Sequence, residues 1–176
     1  SECGIESEVT SAPVPTVSMP TAPAAANGRG GWFTSPVTVT LAGAGGKGEL
    51  KVEHRIGNGA WTAYTAPFKV SADGVTLVQA RATDAEGTTS AVATTTIKMD
   101  ATAPVAAISG IADKAKLDPA AVRTATVTAT DATSGVSEGV LRLDGSVVTS
   151  PAKIDAMSLR SGKHTLEVVV TDQAGN

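Results

Sequence analysis

The sequence predicts an all-β chain built as two tandem β-sandwich modules, and three observations carry that reading. The chain matches itself 88 residues on: Thr38-Val39-Thr40 returns as Thr126-Val127-Thr128, Thr83-Asp84 as Thr171-Asp172, and Gly87 as Gly175. Several matches on one offset are the mark of an array of similar units. Each repeat breaks into short runs of alternating character, such as Val37-Thr38-Val39-Thr40-Leu41 and Leu77-Val78-Gln79-Ala80-Arg81-Ala82, the period-two pattern of half-buried strands. The residue choice agrees, because Val and Thr, which branch at Cβ and favour extended backbone, are abundant, while aromatic residues make up 3%.

Taken in chain order, residues 1–13 precede the first match and are expected to be the tail of an upstream domain with a linker. Module one occupies 14–100, with strands expected near 15–19, 36–42, 50–56, 60–63, 67–70, 75–83 and 91–98. Gly57-Asn58-Gly59 predicts a tight hairpin, since Asn and Gly tolerate positive φ. Asp100-Ala101-Thr102-Ala103-Pro104 reads as a stiff joint, because proline holds its own φ and keeps the residue before it extended. Module two occupies 101–176, with strands near 105–109, 123–130, 139–143, 146–149, 152–155 and 164–171 and a hairpin turn at Asp144-Gly145. Pro119 to Val122 gives a faint helical signal. About seven short strands in about 90 residues fit an immunoglobulin-like sandwich.

Module one runs on past its Asp84 turn into a last strand, Ala91 to Lys98, whereas module two reaches Asn176 where the equivalent strand is due. The expectation is a second module without its last strand, in a chain that is a piece of a longer protein. A foreign strand added at that edge is the competing explanation, with Glu8 to Met19 as the candidate donor.

The residues then point to a family. GWFTSPVTVTL, EHRIGNGAWTAYTAPFKVSADG and TDAEG in module one resemble the bacterial Ig-like repeat of the OmpL47 type, or chitobiase C-terminal type, and MDATAP resembles the linker that joins such repeats. ATDATSGV, LRLDGS and SGKHTLEVVVTDQAGN in module two resemble a neighbouring class of bacterial Ig-like module. The resemblance implies spacer, stalk or adhesive modules flanked by other domains of a large secreted or cell-surface bacterial protein. It does not fix a function, because one fold hosts many. Module one departs from the pattern: LAGAGGKGEL stands where module two has ATDATSGV, so no role of Asp131 carries over to module one.

Composition excludes several kinds of partner. The net charge is −3 and no basic run exceeds two residues, which leaves no electrostatic footprint for nucleic acid. No apolar run approaches the ~20 residues of a membrane helix. The single cysteine, Cys3, has no partner within the chain for a disulfide. His54 and His164 are not related by the repeat and have no ligand-spaced companion, so neither zinc nor a histidine-activated nucleophile is expected. Catalysis by these residues is not expected, nor is an obligate cofactor.

Two binding alternatives remain from the residues. Trp61 and Tyr64, on a hairpin among polar neighbours, are candidates for a glycan-binding platform, against the reading that they pack structurally. Asp131 and Asp172 at strand ends, with Asp100 in the joint, are candidates for calcium, against the reading that Asp84 and Asp172 cap turns through backbone N–H groups. The function expected is thus a non-catalytic extracellular spacer or interaction segment. Carbohydrate binding and a filament subunit joined to a neighbouring chain by strand exchange are the alternatives.

Overall fold

The computed structural model describes residues 12–176; Cys3 and residues 1–11 of the expected upstream tail lie outside the described residues. Two compact units are present. One comprises the described part of Ser1–Ala25 with Val37–Val70 and Val75–Ile97, the other Ala26–Pro36, Ser71–Gly74 and Lys98–Asn176.

Strands of the first repeat are β1 (Thr16–Ser18), β2 (Thr21–Ala22), β3 (Trp32–Phe33), β4 (Val37–Val39), β5 (Ala42–Ala44), β6 (Lys51–Ile56), β7 (Thr62–Ala63), β8 (Phe68–Val70), β9 (Gly74–Thr83) and β10 (Ala93–Met99). They form a three-stranded sheet β2-β4-β8, a five-stranded sheet β3-β10-β9-β6-β7 and a small pair β1-β5. Alternation decides which face is buried. Val37 and Val39 on β4 and Val78, Ala80 and Ala82 on β9 are all wholly inaccessible, while Gln79 and Arg81 between them stay half-exposed. On that outer face Arg81 stands opposite Glu53 of β6 and binds it through Nη2 at 2.9 Å, a cross-strand pair that supports the register. The strand end Lys98–Met99 pairs in parallel with Trp32–Phe33, so these two buried aromatics belong to the second unit.

The second repeat contains β11 (Val105–Ser109), β12 (Val122–Thr130), β13 (Val136–Leu143), β14 (Ser146–Val148), β15 (Ala152–Asp155) and β16 (Leu166–Asp172). Two three-stranded sheets result, β11-β12-β15 and β14-β13-β16. They share one apolar core: Ala125, Ala152 and Ile154 come from the first sheet, Leu141 from the second, and Leu143, Leu166 and Val168 pack against them. Small aliphatic side chains fill this core. Two antiparallel sheets joined by such a core make the unit an immunoglobulin-like β-sandwich, and the chain as a whole is all-β.

Turn chemistry explains the connections. Asp144 and Gly145 have φ of 48° and 81°, the two positive values of the turn that matches strand twist, and Leu143 pairs directly with Ser146. Gly110, at φ 86°, ends β11 where a Cβ would collide with the Thr124 carbonyl. Gly57-Asn58-Gly59 closes the β6–β7 hairpin where its sequence predicts, with His54 paired to Thr62 and the turn closed from Gly59 N–H to the Ile56 carbonyl. One local expectation is corrected. The helical signal at Pro119 to Val122 yields a turn, and Val122 already starts β12; pairing of Val122 with Asp155 on β15 outweighs local propensity.

Leu141 is 2% exposed, whereas Met157 is 75% exposed. Leu141→Ala is expected to destabilise the second unit by about 3 kcal/mol through lost burial and a residual cavity, and Met157→Ala by less than about 0.5 kcal/mol. Urea unfolding followed by circular dichroism checks both.

Candidate functional site

Three loops of the second unit bring Asp100, Asp131 and Asp172 together. One carboxylate oxygen from each lies within 4.8 Å of the others. Asp100 and Asp172 are wholly inaccessible to solvent, and Asp131 is half-buried. Asp100 follows β10 at the joint, Asp131 follows β12 and Asp172 ends β16, so three separate segments supply one residue each.

Backbone donors explain how the carboxylates are held. Asp172 Oδ1 accepts from the N–H groups of Gly175 at 2.6 Å and Asn176 at 2.9 Å, and its Oδ2 accepts from Asn176 Nδ2 at 2.9 Å. Asp131 Oδ1 accepts from Thr133 N–H at 3.1 Å and Gly135 N–H at 2.6 Å. Asp100 accepts from Thr102 N–H on Oδ1 and from Ser134 N–H on Oδ2. Asn176 Nδ2 also donates to the Asp100 carbonyl at 2.9 Å, and Ala174 N–H donates to Ser134 Oγ at 3.2 Å. Burial works to raise the pKa of Asp172, but the hydrogen bonds from Asn176 and Gly175 hold it below the usual carboxylate value.

Among the described residues, none of the three aspartates forms an ion pair with Lys, Arg or His. Three acidic groups at this spacing, two of them buried, repel one another when ionised. Backbone dipoles offset part of that repulsion, and a bound cation would offset more. The donor set is all oxygen, which suits a hard cation such as calcium, but calcium takes about six or more oxygens. Five of the six carboxylate oxygens already accept hydrogen bonds, leaving Asp131 Oδ2 without a donor among the described residues.

Module one arranges its turn differently, as its altered loop foreshadowed. Asp84 Oδ1 accepts from Glu86 and Thr88 N–H, and Oδ2 from Lys47 N–H at 3.0 Å. A backbone N–H of the loop Gly45 to Gly48 thus reaches Asp84, where module two brings a carboxylate near Asp172. Asp84 and Asp172 both act as turn caps at repeat-equivalent positions.

Trp61 and Tyr64 lie on opposite faces of the sheet, because Trp61 packs on the Arg55 and Arg81 side of β6 and β9 and Tyr64 on the His54 side, so they do not form one platform. Both are half-buried. The guanidinium carbons of Arg81 and Arg55 lie 4.4 and 4.8 Å from the Trp61 ring centre, close enough for a cation–π interaction. Tyr64 meets His54 edge-on, with ring centres 6.2 Å apart, and His54 stacks on Phe68 at 4.5 Å.

Sequence reasoning did not single out His164 as a clasp. Its Nδ1 lies 2.6 Å from Asp144 Oδ2 and its Nε2 lies 2.6 Å from the Arg160 carbonyl. A neutral imidazole carries one N–H and cannot donate to both acceptors. The Asp144 hydrogen bond, aided by the Arg160 carbonyl, raises the His164 pKa, and the same bond lowers that of Asp144. The sign follows for each partner. The His164 contribution is complete below the ordinary histidine value and is lost as pH rises through its raised value. The Asp144 contribution is complete above the ordinary aspartate value and is lost as pH falls through its lowered value. The clasp is therefore strongest between about pH 4 and 6.5. Titration of the His164 ring by NMR is expected to give a pKa above that of a model histidine, and Asp144→Asn is expected to move it back down. An unchanged pKa in that variant would break the assignment.

No protein-family model matches the chain, and no curated protein matches it. A solved structure described as Clostridium thermocellum CbhA fibronectin(III)-like modules is similar to 90% of this chain over 88% of its own, at 17% identity and a TM-score of 0.36. A likeness at that score carries no argument, and the fold assignment rests on the strand order and the shared cores described above.

Proposed function

We propose that the chain is a pair of non-catalytic structural modules within a multidomain extracellular protein of the bacterial Ig-like repeat kind, acting as a spacer or interaction segment. The observation that carries this reading is the use of the acidic side chains: Asp84 and Asp172, at equivalent places in the two repeats, spend their oxygens on the backbone of their own turns. Carboxylates committed to capping are unsuited to proton transfer, which needs a group poised to exchange its proton. Among the described residues no helix is long and apolar enough to cross a membrane. The finer likeness to OmpL47-type or chitobiase C-terminal-type repeats, the secreted or cell-surface location and the flanking domains of the same polypeptide as partners belong to this proposal.

Titrating the chain with a panel of polysaccharides while following tryptophan fluorescence separates this reading from glycan binding. A flat response is expected, because the ring of Trp61 is already engaged by two arginines. A saturable change removed by Trp61→Ala would transfer the function to carbohydrate recognition.

A second reading is supported by the convergence of Asp100, Asp131 and Asp172 within 4.8 Å: calcium would neutralise the cluster and stiffen the joint at Asp100. On this reading Asp131 Oδ2 is the oxygen most available to the ion. A ligand that binds only the folded form stabilises by about 2.7 kcal/mol at a hundredfold excess over its Kd, so calcium is expected to raise the melting temperature of the chain relative to chelator, and Asp131→Asn to abolish the rise. Identical melting in calcium and chelator rejects it.

A further inference from the structure

We propose that residues 27–33, a loop carried by the first repeat, are a strap on which the second sandwich depends for its stability, so that the second repeat folds fully only with this segment of the first in place. The strap shapes itself by local bonds. Gly30 and Gly31 have φ of 59° and 77°, the two positive values of a tight reversing turn, and Trp32 N–H closes that turn on the Arg29 carbonyl at 3.0 Å. Gly28 N–H donates to the Trp32 carbonyl at 2.9 Å. Asn27 fastens the base, accepting on Oδ1 from Thr34 N–H at 2.9 Å and donating from Nδ2 to Ser35 Oγ at 3.0 Å. The whole strap belongs to the second unit, although β4, which follows it in the chain, belongs to the first.

Its docking surface is the turn after β16. Arg29 N–H donates to the Ala174 carbonyl at 2.7 Å, and Ala174 is wholly inaccessible. The approach is so close that a Cβ on Gly28 would lie 2.5 Å from the same carbonyl oxygen, so glycine is required there for space. The strap is also tied to the end of β10. Asp100 N–H donates to the Phe33 carbonyl at 2.8 Å, and Lys98 Nζ donates to the Gly30 carbonyl at 3.0 Å while lying 4.8 Å from the Trp32 ring centre. Trp32 and Phe33 are each 8% exposed, so both rings are out of water while the strap is seated. The strap thereby joins the two segments that carry Asp100 and Asp172. Lifting it would leave the Asp100 N–H and the Ala174 carbonyl without these partners, and a buried polar group left unpaired costs more than its bond contributes. That cost falls on the second unit.

The test is amide exchange followed by NMR on the whole chain, comparing wild type with Gly28→Val, whose side chain would compete for the space of the Ala174 carbonyl. In the wild type the Arg29 and Asp100 amides are expected to exchange as slowly as the paired amides of β13 and β16. In the variant, exchange in β13 and β16 is expected to speed up by about tenfold or more, while β9 in the first unit changes by less than about twofold. Lys98→Met keeps the stem and removes the bond to the Gly30 carbonyl, so it tests the strap even where Gly28→Val does not fold. It is expected to release the Arg29 amide and to speed up exchange in β16 several-fold. The proposal is overturned if the wild-type Arg29 amide exchanges freely, if neither variant speeds up exchange in β13 and β16, or if β9 is released by the same factor as β16, which marks general destabilisation rather than a strap.

Discussion

A carboxylate taken out of water must have its oxygens hydrogen-bonded, or the burial cost exceeds what a small domain can sustain. Asp172 meets this condition with the N–H groups of Gly175 and Asn176 and the Asn176 side chain, and Asp100 meets it with Thr102 and Ser134. The demand for donors is what draws the loops inward. Ser134 donates its N–H to Asp100 and accepts on its hydroxyl from Ala174, and Asn176 reaches both Asp172 and the Asp100 carbonyl. Joint, β12–β13 loop and β16 turn therefore hold one another through buried polar contacts, and such networks fix geometry because a half-satisfied member is costly.

The cores set a complementary constraint. With few aromatics, each sheet buries Val, Ala, Leu and Ile at alternate positions, and small inward residues such as Ala80, Ala82, Ala125 and Ala152 let the sheets approach closely. Where large rings occur they are tied to charge: Trp61 lies under Arg81 and Arg55, and Trp32 lies near Lys98 Nζ. Arg81 binds Glu53 and Trp61 at once, so the same guanidinium that supports the β6–β9 register also occupies the ring that a sugar would need. Structural packing and ligand contact compete for Trp61, and packing has the geometric claim.

What the sequence by itself determined was the local and the periodic. Alternation located β11 and β15 to the residue and most other strands to within a few residues, because a side chain's face in a strand depends only on its position in the run. The repeat put Asp84 and Asp172 at equivalent turns, and a capping aspartate acts on N–H groups only two to four residues away. Short-range hydrogen bonding of that kind is written in sequence. The tiny strands β2, β3 and β5 were not legible, since two or three residues show no period and owe their pairing to partners far along the chain.

The tertiary structure decided everything that depends on distant segments meeting. Asp100, Asp131 and Asp172 could be named as strand-end or joint residues, but their approach to within 4.8 Å follows from three separate loops converging. The hairpin at Gly57-Asn58-Gly59 is local and lies where its signal placed it, while the pairing of β6 with β9 joins segments far apart in the chain. His164 showed nothing in its neighbourhood to suggest a clasp, because Asp144 lies 20 residues away. The repeat holds for the chain path but not for burial: among the described residues β9 has a sheet neighbour on each side and β16 has β13 alone. Edge pairing is a property of the assembled sheet, and no single strand's sequence records it.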